Sequence, residues 1–494
     1  MFRLSPCAAL LFIGLAYGCS EPTTAVPAEN QVRSRLEREF EPVILTGEQL
    51  PSLAGLPPGE LVGFRYAAGS WVQIPVQADE RARVAIGGAY NGLDPSTCFA
   101  PGWCSGVAGA VVQLYYTDPN THIGPDPDAS FDRDDELVFM ARDAGSEAPE
   151  GAPRPGRVVP GAGVKVSVAE SGSADRAYVY LFRQDGGLSP GAGKSYVDYR
   201  FALLSGGGYL ATYDRAGTTP DAGRRVGEEL GANPENTIVT TPYYSQHFSD
   251  RWILDGLRIT AGSASGVDIL DRYKTAFAPG NCGRTEYTGS RSEGAFIVNR
   301  AGPVRTIRAY LGFNSGPLVQ RQHIFYERYA DVTTFLRVHA IPGILDFFDY
   351  SPSAVGMVYR NNDNPQGLVI DGRPDGHRSG PLDWESVQGT PGTMVMVHTL
   401  STNITALTRT SFYEDAATSE FIQCTGDNSA FGASGNWITS AIPNTDPRLA
   451  AASLLTLRRQ MLFDAPGATP QKVENLVRAA REPLEVRTAV FPAR

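Results

Sequence analysis

The sequence predicts a mainly β protein: an antiparallel β-sandwich or supersandwich body, a smaller N-terminal β domain and a short C-terminal helical segment. Short runs rich in β-branched and aromatic residues recur from Phe40 onward, and such runs are typical of strands. The chain of 494 residues contains 53 glycines and 36 prolines, which separate these runs at the spacing of hairpins. Long amphipathic helical patterns are few, so antiparallel sheets are favoured over parallel ones.

Residues 1–18 have the pattern of a secretory signal peptide, with a basic start and an apolar run at 7–17. That run is too short to cross a membrane as a helix. The motif Ala-Tyr-Gly-Cys that ends at Cys19 resembles a bacterial lipobox, whose cysteine is lipidated; simple cleavage after Gly18 is the alternative. Residues 19–37 are polar and contain proline, as expected of a tether. We therefore expect an exported lipoprotein at the cell surface or on a periplasm-facing membrane, attached through its lipid only.

The use of cysteine agrees with export. Four cysteines remain in the mature chain after the lipidated one, and an exported protein can keep them as disulfides. Of the three possible pairings, we favour the local pair Cys98–Cys104 together with the long-range pair Cys282–Cys424. Their spacing does not match a zinc site.

Runs with strand character mark most of the chain. They occupy seven segments: 42–45, 71–77, 111–116, 137–140, 164–168, 178–182 and 295–298. The stretch 147–163 is rich in proline and glycine and is the predicted boundary between domains. It separates an N-terminal β domain (38–150) from a large β body (160–445), which is followed by a helical tail and closing strand (446–494).

The C-terminal segment carries the clearest helical patterns. Residues 448–462 are rich in alanine, leucine and arginine and are predicted to be helical. A second helix is expected after Thr469, which suits an N-cap, and Pro470, which suits the first helical position. Its apolar face repeats at i, i+3, i+4 and i+7 through Val473, Leu476, Val477 and Ala480. Pro483 ends this helix, and residues 484–490 are expected to form a closing strand.

The net charge argues against one class of partner. Acidic residues number 53 and basic residues 43, so the net charge is −10 at pH 7. A nucleic-acid binder needs a basic face against phosphate, so no nucleic-acid partner is expected. The sequence also contains no His-Glu-x-x-His or Cys-x-x-Cys motif, which sets aside zincins and thioredoxin-like redox proteins.

An acidic segment at 126–136 is the candidate metal site. It holds six carboxylates in eleven residues, which repel one another unless a cation or solvent relieves them. Calcium prefers hard oxygen ligands on a flexible loop, and alternate acids can point inward together. Calcium is therefore the one cofactor expected, with the ligands Asp126, Asp128, Asp132 and Asp134. The alternative is a solvated acidic turn.

A polar and aromatic segment around His247 is a candidate for sugar recognition. Aromatic rings can stack on the apolar faces of pyranoses while their polar neighbours bind the hydroxyl groups. The residues expected to bind substrate here are Tyr243, Tyr244, Arg251 and Trp252. His247 can move protons as a catalytic acid or base. The alternative is an ordinary loop whose aromatic residues cover the edge of the sandwich.

The richest candidate is an arginine-rich meander at residues 302–340. Its segments alternate in hydrophobicity and are expected to form consecutive antiparallel strands, whose side chains alternate between two faces. A hairpin that turns on Ala330-Asp331 would bring Gln322 opposite His339. The face that this register defines carries Tyr326, Arg328, Arg337 and His339.

A slip of one residue would change that face. Arg337 and His339 would then join His323 and Glu327 instead. Both registers put a histidine and arginines beside a tyrosine or a glutamate, which are the groups that acid–base catalysis on a carboxylated substrate needs. The alternative is the polar outer face of a sandwich, where long charged residues are common.

Two parts of the chain resemble known proteins. The strand Gly302-Pro-Val-Arg305, followed by the meander, resembles the galactose-mutarotase-like β-supersandwich proteins, a group that includes several polysaccharide lyases; the resemblance covers residues 290–400. Residues 71–81 and 134–145 are similar to uncharacterised exported bacterial proteins. In such lyases a Tyr or His removes the proton beside a uronate carboxylate, and an Arg or Asn neutralises that carboxylate.

The resemblance to lyases implies roles for residues of the meander. Tyr326 or His339 is the expected base, and Arg328 or Arg337 is expected to neutralise the carboxylate. Apart from the resemblance, His323 of the meander is expected to bind substrate. The expected function is therefore a surface-anchored enzyme that acts on an acidic polysaccharide by β-elimination.

Two other functions stay open. A glycoside hydrolase would need two opposed carboxylates, for which Glu327, Asp346 and Asp349 are available. The competing class is a non-catalytic glycan-binding or envelope-structural lipoprotein, which would use the same aromatic residues for adhesion alone. Incubation with uronate polymers separates these classes, because only a lyase releases an unsaturated product.

Overall fold

The computed structural model describes residues 36–85, 112–121, 123–161, 163–204, 235–277, 285–286, 296–312, 319–336, 341–418, 429–442 and 455–492. The signal peptide, most of the tether and Cys19 lie outside these ranges. So do the four cysteines of the expected disulfides, Cys98, Cys104, Cys282 and Cys424, and two residues of the expected catalytic face, Arg337 and His339. No helix of the described residues is long and apolar enough to span a membrane.

The described residues confirm a mainly β architecture. Up to residue 200 the strands are β1 (Pro42–Thr46), β2 (Leu61–Ala67), β3 (Ser70–Ile74), β4 (Gln77–Asp79), β5 (Arg81–Ala85), β6 (Val112–Tyr116), β7 (Glu136–Met140), β8 (Gly163–Ala169), β9 (Ala177–Arg183) and β10 (Asp198–Arg200). The next strands are β11 (Thr237–Thr240), β12 (Tyr244–Phe248), β13 (Leu254–Ile259), β14 (Leu270–Ala276), β15 (Phe296–Ala301), β16 (Thr306–Gly312), β17 (Val319–Phe325) and β18 (Tyr329–Leu336). The last are β19 (Ile344–Tyr350), β20 (Val358–Asn361), β21 (Leu368–Val369), β22 (Trp384–Gly389), β23 (Gly392–Thr402), β24 (Arg409–Ala416), β25 (Ala430–Ile438), β26 (Leu455–Asp464) and β27 (Glu485–Phe491). All seven segments with predicted strand character contain strands.

Within the described ranges these strands form six sheets, and neighbouring strands in each sheet pair antiparallel. The largest has nine strands in the order β15-β16-β17-β18-β26-β23-β22-β20-β21. Two four-stranded sheets have the orders β10-β11-β12-β13 and β14-β19-β25-β24. The other three are β27-β8-β9-β2-β3, β1-β7-β4 and β5-β6. Stacked antiparallel sheets of this kind make a β-sandwich body, as the sequence predicts.

The C-terminal helix and the closing strand are confirmed. Helix α1 spans Pro470–Arg481, and the Thr469 hydroxyl accepts the Lys472 N–H at 3.2 Å, which is the expected N-cap. Val473, Leu476 and Val477 are buried on its apolar face. The strand that follows, β27, pairs with β8 of the five-stranded sheet.

The helix predicted at residues 448–462 was wrong over its described part. Residues from Leu455 onward form β26, which pairs with β18 on one side and β23 on the other. Ladder hydrogen bonds from two neighbouring strands outweigh the modest helix propensity of alanine, leucine and arginine. The segment therefore lies in the middle of the nine-stranded sheet.

The meander forms consecutive antiparallel strands as predicted, but its turn comes earlier in the chain. β17 and β18 turn at Glu327-Arg328, so Gln322 opposes Thr333 and the predicted register was wrong. The Tyr326 N–H donates to the Tyr329 carbonyl at 2.9 Å, and the two rings stack with their centres 4.6 Å apart. These contacts across the turn stabilise the earlier position, which alternation in hydrophobicity alone does not reveal.

The proline-rich segment 147–163 packs against the five-stranded sheet. The Trp71 indole donates to the Pro153 carbonyl at 2.5 Å, and the Tyr180 phenol oxygen accepts the Ala148 N–H at 2.7 Å. That sheet contains strands from both sides of the segment, and Arg33–Arg494 forms one compact unit. The domain boundary at this segment stays a prediction.

Candidate functional site

One face of the nine-stranded sheet carries a row of buried charged and polar side chains. Arg308 lies opposite His323 across β16 and β17, and Arg459 lies opposite His398 across β26 and β23. Val332 of β18 lies between the two pairs, opposite both His323 and Arg459. Because side chains alternate between the faces of a strand, these residues share one face of the sheet.

The two four-stranded sheets cover this face. The Phe248 ring of β12 lies against His323, and the Tyr273 ring of β14 lies 4.9 Å from the Arg459 guanidinium. Asn436 of β25 reaches across to His398. Polar groups from two layers therefore meet in the interior, where each of them needs a partner.

We define the His398 cluster as His398, Glu385, Asn436 and Arg459. The His398 Nε2 atom lies 2.9 Å from a Glu385 oxygen, and the Asn436 amide nitrogen lies 2.7 Å from His398 Nδ1. Because the Asn436 amide nitrogen can only donate, Nδ1 is the acceptor, and Nε2 carries the hydrogen that Glu385 accepts. These two contacts favour a neutral imidazole in one tautomer.

Arg459 supplies the positive charge of the His398 cluster. Its Nη2 atom donates to the Asp346 carbonyl at 3.1 Å and lies 3.5 Å from the Asp346 carboxylate. Its Nε and Nη1 atoms are buried and have no hydrogen-bond partner within the described part of the chain. Arginine N–H groups bind carboxylates well, so these two donors suit an anionic ligand.

The cluster is buried: the His398 side chain is 2% exposed, Asn436 keeps 6% of its surface exposed, and Glu385 is fully buried. Burial lowers the pKa of His398 below its ordinary value of 6.5; the hydrogen bond to Glu385 opposes this shift, and the charge of Arg459 adds to it. His398 is therefore neutral at pH 7, as a general base must be.

A glycine lets β25 deliver Asn436 to the cluster. A Cβ atom at Gly435 would lie 2.1 Å from the Asp346 carbonyl oxygen and 2.6 Å from the Phe347 Cα of β19. Only glycine allows two backbones to approach so closely. The neighbouring Asn436 is thereby held within hydrogen-bond distance of His398.

Tyr326, just before the turn, and Arg328, within it, are two residues of the expected catalytic face, and they bind different partners. The Tyr326 phenol accepts a hydrogen bond from Arg305 at 3.2 Å and is 2% exposed. Arg328 donates to the Asp464 carboxylate at 2.5 Å. The structure therefore does not bring these two side chains together as one site.

His247 also has its own partners. Its Nδ1 atom lies 2.6 Å from Asp255 and its Nε2 atom 2.9 Å from Asn236. The hydrogen bond to Asp255 raises the pKa of His247, which favours the charged imidazolium rather than a base. His247 is thus separate from the His398 cluster.

Most of the residues expected to bind substrate are interior. Tyr244, Arg251, Trp252 and His323 are buried, while Tyr243 is half-buried. The Tyr244 phenol donates to the Tyr326 carbonyl at 2.9 Å, and His323 Nε2 lies 3.1 Å from the Tyr310 phenol. Among the five, Tyr243 alone offers a partly exposed ring.

The three carboxylates available to a hydrolase are all paired with cations. Asp346 lies 3.3 Å from Arg321, Asp349 binds Lys274, and Glu327 binds Arg142. The two carboxylates on β19, Asp346 and Asp349, are buried. Each of the three carboxylates is therefore held by a cation of this chain.

The acidic segment forms a cluster whose membership differs from the expected ligand set. Carboxylate oxygens of Glu80, Asp126 and Asp135 lie within 4.8 Å of one another. The Glu80 Oε1 and Asp126 Oδ2 atoms are buried without a hydrogen-bond partner in the described ranges. Burial, reinforced by the neighbouring carboxylates, raises the pKa of Glu80 to about 7 and that of Asp135 to about 6. A divalent cation would relieve this repulsion.

The other three expected ligands lie outside that trio. Asp128 accepts hydrogen bonds from the backbone and hydroxyl of Ser130, and these bonds lower its pKa. Asp132 accepts the Asp134 N–H at 3.0 Å in a similar turn. Burial, together with a hydrogen bond to Asp132, raises the pKa of Asp134 to about 6.

Sequence reasoning missed the His398 cluster. Its members come from four strands, and His398 stands in a run of apolar and hydroxyl residues that has no motif around it. One signal was present: Glu385 and His398 are ionisable residues within segments of strand character, and buried ionisable groups need partners. The partners Asn436 and Arg459 follow only from strand order.

Comparisons with known proteins add a weak likeness in fold. No protein-family model and no curated protein matches the chain. Among solved structures, it is similar to HI1317, with a TM-score of 0.28 and 7% identity over 53% of this chain and 99% of that one. It is also similar to a candidate aldose 1-epimerase from Escherichia coli K12, with a TM-score of 0.26 and 13% identity over 45% of this chain and 96% of that one. With TM-scores this low, neither likeness supports an argument about this chain.

Proposed function

We propose that the chain is a carbohydrate-active enzyme that cleaves an acidic polysaccharide by β-elimination, with the His398 cluster as its active site. One observation carries the proposal: a neutral histidine, an asparagine and an arginine with two unpaired donors meet on one face of the large sheet. These are the residue types that the resemblance to polysaccharide lyases requires.

In this mechanism His398 is the base. Its Nδ1 atom takes the proton from the carbon beside the uronate carboxylate, the C–H electron pair forms a carbon–carbon double bond, and the glycosidic C–O bond breaks. The departing oxygen then takes up the proton from His398. Glu385 holds the imidazole through Nε2 and stabilises its charged form.

Asn436 and Arg459 neutralise the substrate carboxylate. Their N–H groups stabilise the negative charge that builds up there once the proton leaves, and this makes the proton more acidic. Asn436 occupies Nδ1 of His398 in the structure. Its movement onto the carboxylate frees that nitrogen for proton transfer.

The experiment is a turnover assay on the purified mature chain. We expect at least one uronate polymer, from a panel that includes polygalacturonate and alginate, to give the ultraviolet absorbance of an unsaturated product. Arg459→Met and Asn436→Ala are expected to abolish this signal. His247→Ala is the matched control, because His247 lies outside the cluster, and it is expected to keep the signal.

The alternative is a protein that binds acidic glycans without cleaving them. Binding of a uronate polymer with no unsaturated product from any member of the panel would favour this class and contradict the lyase. Absence of both binding and turnover on acidic polymers would contradict both.

We also propose that the protein is exported and anchored through lipid on Cys19. The composition around that residue supports this location. Mass spectrometry of the mature N-terminal peptide is expected to show a lipid-modified cysteine. An unmodified Cys19, or a chain that keeps residues 1–18, would contradict the proposal.

A further inference from the structure

A groove of about 490 Å³ lies on the outer face of the nine-stranded sheet, beside α1. Its floor includes Trp384 and Ser386 of β22 and Arg360 of β20, which lies opposite Ser386. Glu385, between Trp384 and Ser386, points to the inner face, so its two neighbours point outward. We call this feature the outer groove.

Three guanidinium groups line the outer groove without carboxylate partners. Arg478 and Arg481 are exposed on the last turn of α1. Arg360 is half-buried and donates to the Gln388 side chain at 2.8 Å. Within the described ranges none of the three forms an ion pair. The groove therefore presents positive charge to a ligand from outside the chain.

The Ser386 hydroxyl points independently to a ligand. Ser386 is fully buried, lines the groove and has no hydrogen-bond partner among the described residues. A buried polar atom left unpaired costs about 1–3 kcal/mol, so an incoming hydroxyl stabilises the site. The half-buried Trp384 beside it offers an aromatic surface on which a sugar ring can stack.

Carboxylates also line the outer groove, and they favour a ligand that has hydroxyl groups as well as acidic groups. Glu474 and Glu482 stand among the arginines on the α1 side. They can accept hydrogen bonds from hydroxyl groups, while the arginines donate to carboxylates or sulfates. A simple anion would use only the arginines, whereas a sugar acid carries both kinds of group and an apolar ring face.

We propose that the outer groove binds a second stretch of the acidic polysaccharide, on the face of the sheet opposite the His398 cluster. The choice of ligand rests on the proposed function. Trp384 stacks on a sugar ring, Arg360, Arg478 and Arg481 bind acidic groups, and Ser386 binds a hydroxyl. The outer groove holds one part of the polymer while the His398 cluster acts on another part. The groove therefore increases affinity for long polymers and not for short oligosaccharides.

The test compares two double variants of the mature chain. Arg478→Ala/Arg481→Ala removes two exposed charges from the groove, and Arg183→Ala/Arg487→Ala removes two exposed charges elsewhere. Affinity for polygalacturonate, alginate and heparin is measured by calorimetry, with dextran as the neutral control. The groove variant is expected to weaken binding of the best acidic polymer about tenfold, which corresponds to about 1.4 kcal/mol. Trp384→Ala is a second groove variant whose folding is checked by its Tm.

Turnover separates this proposal from the proposed function. If the chain cleaves the polymer, the groove variant is expected to raise KM for long chains and leave kcat on a short oligosaccharide unchanged. Binding lost in the groove variant of a chain that shows no turnover supports the groove and contradicts the lyase. Unchanged affinity in the groove variant, equal binding of dextran, or no binding of any acidic polymer overturns the groove.

Discussion

The guanidinium of Arg305 donates to the phenol oxygen of Tyr326 at 3.2 Å, deep in the interior of the protein. The same guanidinium binds Asp79 at 2.8 Å and Glu136 at 2.7 Å, and Arg305 is fully buried. Asp79 and Glu136 belong to the three-stranded sheet, and Arg305 immediately precedes β16 of the nine-stranded sheet. This network joins the two sheets and gives Tyr326 a structural partner.

Arg305→Leu is expected to destabilise the protein strongly. The substitution leaves the buried Asp79 carboxylate without its cation, whereas Glu136 keeps its second partner, Arg81. Breaking a buried pair in this way costs about 3–5 kcal/mol. Denaturant unfolding of the purified variant measures the loss. A loss below about 1 kcal/mol would contradict the role assigned to this network.

Tyr326→Phe is expected to cost much less. It removes one hydrogen bond, worth about 0.5–1.5 kcal/mol, and keeps the ring that stacks on Tyr329. The same unfolding experiment, run beside Arg305→Leu, measures the difference. If Tyr326→Phe lost as much free energy of unfolding as Arg305→Leu, the phenol would stabilise the network by more than one hydrogen bond can.

Calcium is expected to raise the melting temperature, and a chelator to lower it. The raised pKa of Glu80, about 7 against an ordinary 4.5, means that the folded chain without metal holds a proton that the unfolded chain releases. The stability of the metal-free protein therefore falls as pH rises from about 4.5 to about 7, and added calcium should remove that dependence. Scanning calorimetry with and without chelator, at pH 5 and pH 7.5, measures both effects.

Two variants decide which carboxylates hold the ion. Glu80→Gln is expected to abolish the effect of calcium, because Glu80 belongs to the close trio with Asp126 and Asp135. Asp128→Asn is expected to keep it, because Asp128 is engaged by Ser130 in an exposed turn. If Asp128→Asn abolished the effect of calcium and Glu80→Gln kept it, the ion would be bound by the loop ligands expected from the sequence.

The pH profile of turnover is expected to report the buried histidine. Since burial lowers the pKa of His398, the base stays neutral below the pH at which an ordinary histidine is protonated. The acid limb of kcat/KM should therefore fall below pH 6.5. If kcat/KM already declined at a pH above 6.5, the base would be a different group, one whose pKa is raised.

Gly435→Ala is expected to damage both fold and site. The added Cβ would meet the Asp346 carbonyl oxygen at 2.1 Å, and overpacking of this kind costs about 1–3 kcal/mol. Because the strand must shift, Asn436 should leave the position from which it reaches the substrate carboxylate. The rate of turnover should then fall by more than the loss of stability, measured as Tm, accounts for. Gly432→Ala, on the same strand near the Ile370 side chain, is the control for a stability loss alone.

The strands were predictable because their pattern is local. The alternation at 164–168 and the aromatic run at 178–182 mark β8 and β9 directly, and Thr469 and Pro470 mark the start of α1. Residues 448–462 misled because helix propensity is also local, while the pairing of β26 with β18 and β23 is not. Sheet order depends on contacts between distant segments, and the chain carries no local sign of it.

The sequence predicted the residue types of the candidate site, a histidine with arginines, but not which residues form it. The meander was expected to supply a histidine and arginines on one buried or exposed face, and His323 and Arg308 do share a face. The residues of the His398 cluster come from β22, β23, β25 and β26, and nothing local in the sequence joins these four strands. A single ionisable residue in a strand, such as Glu385 or His398, is the signal to follow in similar chains.

The most direct test of the account is the rate of unsaturated product formed by His398→Ala and by Tyr326→Phe, measured side by side on the polymer that the wild-type chain cleaves. Removal of a general base lowers a rate about 100-fold or more, so His398→Ala is expected to lose at least that much. Tyr326→Phe is expected to stay within about twofold of the wild type, since it loses only a hydrogen bond to Arg305. A rate that collapses in Tyr326→Phe and survives in His398→Ala would contradict the account and return the base to the meander.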